Sequence, residues 1–302
     1  MNAAHAPRPS WLRIRLRTDE SFVQLRSMVR DLKLHTVCEE ARCPNIYECW
    51  NAGTATFMIL GDTCTRRCGF CNVNSGLPRE GVDADEPARV AEAIARLGLR
   101  HAVITSVDRD DLRDGGALHF NRVIRAVRTR NPECAVEVLT PDFKNNSGAL
   151  AIVLEAAPDV FAHNVETVPR LYRVARPGSR YEGSLALLRA AAQARDNSGS
   201  SLRVKSSLIL GLGENDAEVL AVMRELRDAG VDVLTLGQYL QPTRRHLSVE
   251  RFVTPEQFGA FARAGSEMGF RHVESGPLVR SSYHAERQLG PGSPADVPHP
   301  CE

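Results

Sequence analysis

Residues 58–73 read MILGDTCTRRCGFCNV, an apolar run followed by three cysteines, Cys64, Cys68 and Cys71, in the order Cys-x3-Cys-x2-Cys. The run that leads into them, 56–60, has the β-branched and apolar character of a buried strand. The spacers are short enough for three thiolates to converge on one small cluster. A [4Fe–4S] cube held by three cysteines leaves its fourth iron for another ligand. A small molecule with an amine and a carboxylate can chelate that iron. An electron passed from the cube to a bound sulfonium could then cleave a C–S bond and release a carbon radical, with the protein supplying position and excluding water.

Upstream, CEEARCPNIYECW gives a second triplet, Cys38-x4-Cys43-x5-Cys49. The chain has eight cysteines, and six of them fall within residues 38–71. A disulfide framework would not leave the rest of the chain unstapled, so the window reads as metal binding. Structural zinc wants four ligands, usually as two CxxC-type pairs, and neither triplet contains that pairing. Two iron–sulfur clusters are the favoured reading, with zinc or redox thiols as the alternative. Cys134 opens a predicted buried strand and reads as a small hydrophobe. Cys301 lies in a Pro- and Gly-rich tail and reads as incidental.

Outward from the cysteine loop, β-branched runs alternate with helical ones. Strands are expected at 56–60, 102–105, 135–139, 159–163, 203–210 and 231–236. Helices are expected at 87–97, 117–128, 148–157, 183–195, 216–229 and 254–268, the last with Thr254 as N-cap and Pro255 in its first turn. A further helical pattern covers 21–31. This alternation predicts parallel βαβ units curling into a partial (βα)6 TIM-like barrel. The Cys64 loop then follows the first strand, at the C-terminal face where barrel active sites sit. The expected organisation is an extension at 1–55 carrying the first triplet, the barrel with a closing C-terminal segment at 56–289, and a disordered tail at 290–302.

Composition narrows the class without naming a chemistry. The chain has 302 residues, 43 % of them hydrophobic, which suffices for a large core. Lys and Arg total 38 against 37 Asp and Glu, so no net field draws nucleic acid or an anionic membrane. Only Lys33, Lys144 and Lys205 are lysines; a codon bias explains the arginine excess more simply than anion recognition does. No apolar run reaches transmembrane length, and the first residues lack the apolar core of a signal peptide. A cytoplasmic protein is expected.

The CxxxCxxC triplet resembles the radical S-adenosylmethionine (SAM) superfamily, in which an aromatic such as Phe70 precedes the last cysteine. The first triplet narrows the resemblance to the lipoyl synthase family. So do ITSVDRDDLRDGGA, HNVET, KSSLILGLGE, LTLGQYLQP and GPLVRSSYHAE, which together span most of the chain. One departure is Ser248, where the family usually has proline; it touches no cysteine motif. The resemblance implies a sulfurtransferase that inserts two sulfur atoms, at C6 and C8, into an octanoyl chain amide-linked to a lysine of a carrier domain. It implies two [4Fe–4S] clusters and SAM: Cys64, Cys68 and Cys71 for SAM cleavage, and Cys38, Cys43 and Cys49 for the cluster that supplies sulfur. A serine of Arg280-Ser281-Ser282-Tyr283 completes the second site, and the family pattern favours Ser282 over Ser281. In spacing alone the two serines are equivalent, and Ser-Ser-Tyr is also common in turns.

SAM contacts implied by the resemblance are Asn164 and Glu166 after the fourth strand, Thr105 at the end of the second, and Gly211, whose turn could let backbone approach the methionine moiety. Each has a bland reading: a satisfied polar pair, a strand-to-loop hydrogen bond and a plain turn. Asp108, Asp110 and Asp111 read as a solvated acidic turn around Arg109 rather than a metal site. His163 and His284 read as structural. Implied partners are octanoylated lipoyl carrier domains (E2 subunits of 2-oxoacid dehydrogenases and the glycine cleavage H protein), a low-potential donor such as ferredoxin or flavodoxin, and an iron–sulfur carrier. Rival readings are a biotin synthase, a methylthiotransferase and a two-cluster electron carrier. The triplet spacing, the short stretch before Cys38 and the size of the barrel rank all three lower.

Overall fold

The computed structural model describes residues 8–14, 18–52 and 54–289. Near-continuous apolar runs form its strands because a parallel sheet is covered on both faces. In chain order the strands are β1 (His35–Thr36), β2 (Thr56–Ile59), β3 (Thr63–Cys64), β4 (Asn74–Ser75), β5 (His101–Ser106), β6 (Ala135–Leu139), β7 (Val160–Ala162), β8 (Arg203–Leu210), β9 (Val233–Gln238) and β10 (His272–Gly276). The helices are α1 (Glu20–Asp31), α2 (Val37–Glu40), α3 (Ile46–Asn51), α4 (Glu86–Leu97), α5 (Ala117–Arg130), α6 (Ser147–Glu155), α7 (Tyr172–Ala175), α8 (Tyr181–Ser198), α9 (Asp216–Asp228) and α10 (Pro255–Glu267).

One eight-stranded sheet runs in the order β1-β2-β5-β6-β7-β8-β9-β10. Pairing is parallel from β2 through β10, and only β1 is antiparallel, His35 facing Met58. The six expected βα units are present as a partial barrel, and the sheet extends past them at both ends. β10 adds a parallel strand after α10, and its residues are only half-buried. Its sequence, HVESG, lacks the apolar run by which the other strands are legible. β3 and β4 form a separate small pair that brackets the cysteine loop.

Helix ends follow local chemistry. Thr254 accepts the Gln257 N–H with Pro255 in the first turn, as expected. Asn215 and Glu218 form a reciprocal capping box that starts α9. Phe57, Ile59, Ile104, Val138, Phe161, Leu208 and Leu236 fill one continuous core, which also takes Phe22 and Trp50 from the N-terminal segment. Phe22 packs between Trp50 and Tyr47, with ring centroids 5.0 and 5.5 Å away. The segment that carries Cys38, Cys43 and Cys49 is therefore fixed to the barrel by shared apolar burial. Cys134 is buried among the same residues, as expected of a small hydrophobe.

Lys205 and Glu137 form a fully buried pair inside the barrel at 2.6 Å, with His101 bonded to the other carboxylate oxygen. Among the described residues no helix is long and apolar enough to cross a membrane. Cys301 and the expected disordered tail lie outside the described residues.

Candidate iron–sulfur and cosubstrate site

The C-terminal ends of β2, β5, β6, β7, β8 and β9 open onto a cavity of about 520 Å³. Cys38 and Cys43 line it, and so do Cys64, Cys68 and Cys71. Cys49 is close enough to Cys38 and Cys43 for the three charges to repel one another. Each of the six thiols is free, and burial raises the pKa of every one. Cys38 and Cys64 are pushed up to about 11 and Cys68 to about 12, so without a cation these sulfurs hold their protons at neutral pH.

Donors nevertheless point at the sulfurs. The Thr56 backbone N–H and the Trp50 indole both work to lower the Cys38 pKa. Trp50 Nε1 is buried and makes no hydrogen bond. Cys64 Sγ accepts the Arg66 N–H at 3.4 Å, and Cys71 meets the Val73 backbone N–H. Donors of this kind favour the thiolate and are a known lever on iron–sulfur clusters. Among the described residues no three His, Cys, Asp or Glu converge as they would on a single ion. A cube spreads its three thiolates over three irons, and each triplet supplies three cysteines, where structural zinc wants four ligands. The donor set fits two cubes.

The cysteine loop is splinted by the turn Asp108–Asp111. Thr65 donates its backbone N–H to the Asp108 carbonyl at 2.9 Å, and its hydroxyl accepts the Asp110 N–H at 3.0 Å. Arg66, with its side chain 3 % exposed, pairs with Asp110 at 2.9 Å and with Asp142 at 2.6 Å, and also donates to Ser179. Burial works against the Asp142 charge, but its bonds to Arg66 hold its carboxyl far below the usual range. Arg109 forks onto Asp111 on the other side of the turn. This corrects the expectation of a solvated turn around Arg109. The buried centre is Arg66, from inside the cysteine motif, and only Asp111 serves Arg109.

The remaining expected contacts divide. Phe70, Thr105, Asn164, Glu166, Ser281 and Ser282 line the cavity. Thr105 donates its hydroxyl to the Leu139 carbonyl at 2.8 Å, a bond to the neighbouring strand β6 where the bland reading expected one to a loop. Asn164 donates to Glu166 at 3.1 Å, while its buried Oδ1 has no partner. Glu166 holds a left-handed φ of +66°, locked by its N–H to Ser207 O and by the Ile209 N–H to its own carbonyl. Burial raises the Glu166 pKa against the pull of Arg176 and Arg280.

Gly211 does not line the cavity. Its φ is +103°, and any Cβ would overlap the Gln238 amide and stand 2.6 Å from the Arg251 carbonyl. The glycine is needed for that packing, so the expected cosubstrate contact is not supported at this residue. His163 is structural as expected, bonded by Nδ1 to the Thr140 carbonyl and by Nε2 to the Ser184 hydroxyl, each at 2.9 Å. His284 stacks on Tyr283, with ring centroids 3.8 Å apart.

The C-terminal segment closes the site. Asn45 donates to the Leu278 carbonyl at 2.8 Å, Tyr283 donates to Glu48 at 2.8 Å, and Thr56 donates to Ser282 Oγ at 2.8 Å. Arg280 is half-buried with its charge near both Cys43 and Glu166, and the buried Arg176 lies near Cys68 and Glu166. Reading the sequence missed both arginines. Each stands in a run rich in charge or glycine, and nothing local marks it as part of the site.

Comparison with known proteins now bears on the arrangement. Residues 58–226 match the model of the radical SAM superfamily, and residues 1–43 match that of the N-terminal domain of lipoyl synthase. The lipoyl synthase of Rubrobacter xylanophilus is 55 % identical over 93 % of this chain and 86 % of its own. That of Symbiobacterium thermophilum is 57 % identical over the same shares. This chain belongs to the lipoyl synthase family. Radical SAM chemistry with SAM and [4Fe–4S] clusters follows from that membership. Among solved structures, SuiB of Streptococcus suis bound to its precursor peptide overlays with a TM-score of 0.55 at 11 % identity, covering 72 % of this chain and 48 % of SuiB. That likeness speaks for the fold alone.

Proposed function

We propose that the two cysteine triplets, both of which contribute to the lining of a single cavity, hold two [4Fe–4S] clusters with different tasks. Cys64, Cys68 and Cys71 are assigned to the cluster that engages SAM. Cys38, Cys43, Cys49 and Ser282 are assigned to an auxiliary cluster that gives up sulfur. The observation that carries this reading is that Cys38 and Cys43 of one triplet and Cys64, Cys68 and Cys71 of the other line a single cavity, so a substrate chain held there can be approached from both sites. When bound, the clusters and SAM supply reductive cleavage to a carbon radical and the sulfur for two C–S bonds, at C6 and C8 of a protein-bound N6-octanoyl-lysine.

The chain's own residues supply the rest. Apolar Val37, Met58, Val107 and Leu139 line the cavity and suit an aliphatic chain, and they exclude the water that would quench a radical. Asn164, with its unpartnered Oδ1, and Glu166 offer acceptors to the hydroxyls of the SAM ribose. Arg280 and Arg176 bring positive charge to the two cysteine sites and so favour their thiolates. Ser282 can take the open iron of the auxiliary cluster through its hydroxyl oxygen, which the Thr56 hydroxyl holds in place.

In this reading residues 1–55 form the cluster-bearing extension of a barrel at 56–289. The protein-bound substrate is an E2 lipoyl domain or the glycine cleavage H protein, electrons come from ferredoxin or flavodoxin, and an iron–sulfur carrier rebuilds the spent cluster. A cytoplasmic place of action fits clusters borne on free thiols.

The test is anaerobic. Clusters are reconstituted, iron is counted, and dithionite, SAM and an octanoyl-lysine peptide are added. About eight irons per chain, 5′-deoxyadenosine and a peptide bearing two sulfurs are expected. SAM cleavage without sulfur on the octanoyl chain would overturn the substrate, and about four irons would overturn the two-cluster assignment.

A further inference from the structure

β2 ends at Ile59, and the next two residues both take left-handed backbone, Leu60 at φ +70° and Gly61 at φ +88°. They turn the chain sharply out of the sheet and into the loop that carries Cys64, Cys68 and Cys71. Glycine adopts this conformation freely, whereas a leucine there is strained by about 1–2 kcal/mol and persists only where its surroundings over-determine it.

Here they do. The Leu60 N–H donates to Glu86 Oε2 at 3.0 Å. The Leu60 carbonyl accepts from Arg109 Nη1 at 3.2 Å. The Leu60 side chain lies so close to Gly116 that a Cβ at that position would overlap its Cδ1. Glu86 is in turn bonded through the same Oε2 to His119 Nε2 at 2.6 Å. Glu86, Arg109 and His119 are all buried, and they come from the start of α4, the loop after β5, and α5. None of them lines the cavity, so the proposed chemistry uses none of them directly.

We infer that Glu86, oriented by His119, is a positioning residue that together with Arg109 and Gly116 clamps the strained Leu60 turn and so aims the Cys64–Cys71 loop at the cavity. The inference rests on the assignment of those three cysteines to the SAM-binding cluster. It also gives a reason for Arg109, Gly115 and Gly116 standing close together in one segment. Arg109 reaches Leu60, and the left-handed pair Gly115–Gly116 lets α5 begin against it. Asp108 and Asp110 hold the same loop further on, through Thr65 and Arg66. One turn thus pins the loop at its root and at its middle.

The experiment uses the reconstituted full-length chain, with iron content, thermal unfolding and the electron paramagnetic resonance spectrum of the reduced clusters with and without SAM. Wild type should show a SAM-dependent change in the spectrum; its absence would overturn the cluster assignment, not the clamp. In Glu86→Ala we expect a folded chain that needs on the order of tenfold more SAM to produce that change. Glu86→Gln, whose amide oxygen can still accept the Leu60 N–H, should recover wild-type SAM dependence to within about threefold. Leu60→Gly relieves the strain and leaves the Glu86–His119 pair alone, so it tests the clamp even if Glu86→Ala fails to fold. It too should weaken the SAM response. A folded Glu86→Ala or Leu60→Gly with wild-type SAM dependence overturns the inference, as does failure of Glu86→Gln to restore it.

Discussion

The hydroxyl of Thr56 donates to Ser282 Oγ at 2.8 Å, joining the first residue of β2 to a serine 226 positions further along the chain. The Thr56 backbone N–H also works to lower the Cys38 pKa. A single residue of β2 therefore acts on both Cys38 and Ser282, the residues proposed for the auxiliary site.

Removing that donor should weaken the auxiliary site selectively. Thr56→Val keeps shape and burial but leaves Ser282 without its partner. Lipoyl formation should fall several-fold while SAM cleavage in the absence of octanoyl substrate stays within about twofold, the loss matching one hydrogen bond of roughly 1 kcal/mol. Ser282→Ala should be more severe in the same direction. Equal losses in both activities would contradict the division of labour.

The cysteine triplets should separate cleanly. Cys68→Ala should abolish SAM cleavage and leave about four irons per chain. Cys43→Ala should also leave about four, yet still cleave SAM and yield no sulfur-bearing product. Iron analysis and product mass spectrometry on the two variants check this.

Most of the barrel was legible because its strands are buried on both faces and read as apolar runs; β8 matches its expected bounds, Arg203–Leu210. β10 was not, since His272, Glu274 and Ser275 sit half-exposed at the sheet edge and carry no apolar signature. The cysteine triplets stood out by their spacing and Ser282 only through the resemblance, and the structure brings Ser281 and Ser282 alike to the cavity. Arg176, Arg280 and the Arg66 network were not legible, because a buried guanidinium and an exposed one look alike in sequence. Gly211 is ambiguous for a related reason. A glycine after a strand marks close approach without saying of what, and here the approaching group is Gln238.

Arg66 should matter more for stability than any surface arginine. Replacing it by methionine leaves the buried Asp142 without its counter-charge and Asp110 with only Lys144, 3.7 Å away, a loss of about 3–5 kcal/mol. The double variant Arg66→Met, Asp142→Asn should be less destabilised than the sum of the singles. Urea unfolding of the cluster-free chain at neutral pH measures both.

His163 sets a pH dependence. Burial, then the nearby Arg176 charge, lowers its pKa from 6.5 to about 4. Its Nδ1–H donates to the Thr140 carbonyl, so Nε2 accepts from Ser184 and has no room for a second proton. Between those two values the unfolded chain binds the extra proton and the folded one does not, so this contribution is present at pH 7 and is lost as the pH falls toward 4. Relative to His163→Gln, wild type should lose about 2 kcal/mol of stability between pH 7 and pH 5. Parallel curves for the two proteins would refute it.

The most direct test concerns where the sulfur comes from. The chain is reconstituted with heavy-isotope sulfide, freed of excess sulfide, and given SAM, dithionite, an octanoyl-lysine peptide and light sulfide in solution. If the cluster on Cys38, Cys43, Cys49 and Ser282 is the donor, both sulfurs in the first-turnover product carry the heavy isotope, and Cys43→Ala makes none. Light sulfur in that product, or full activity in Cys43→Ala, would contradict the account.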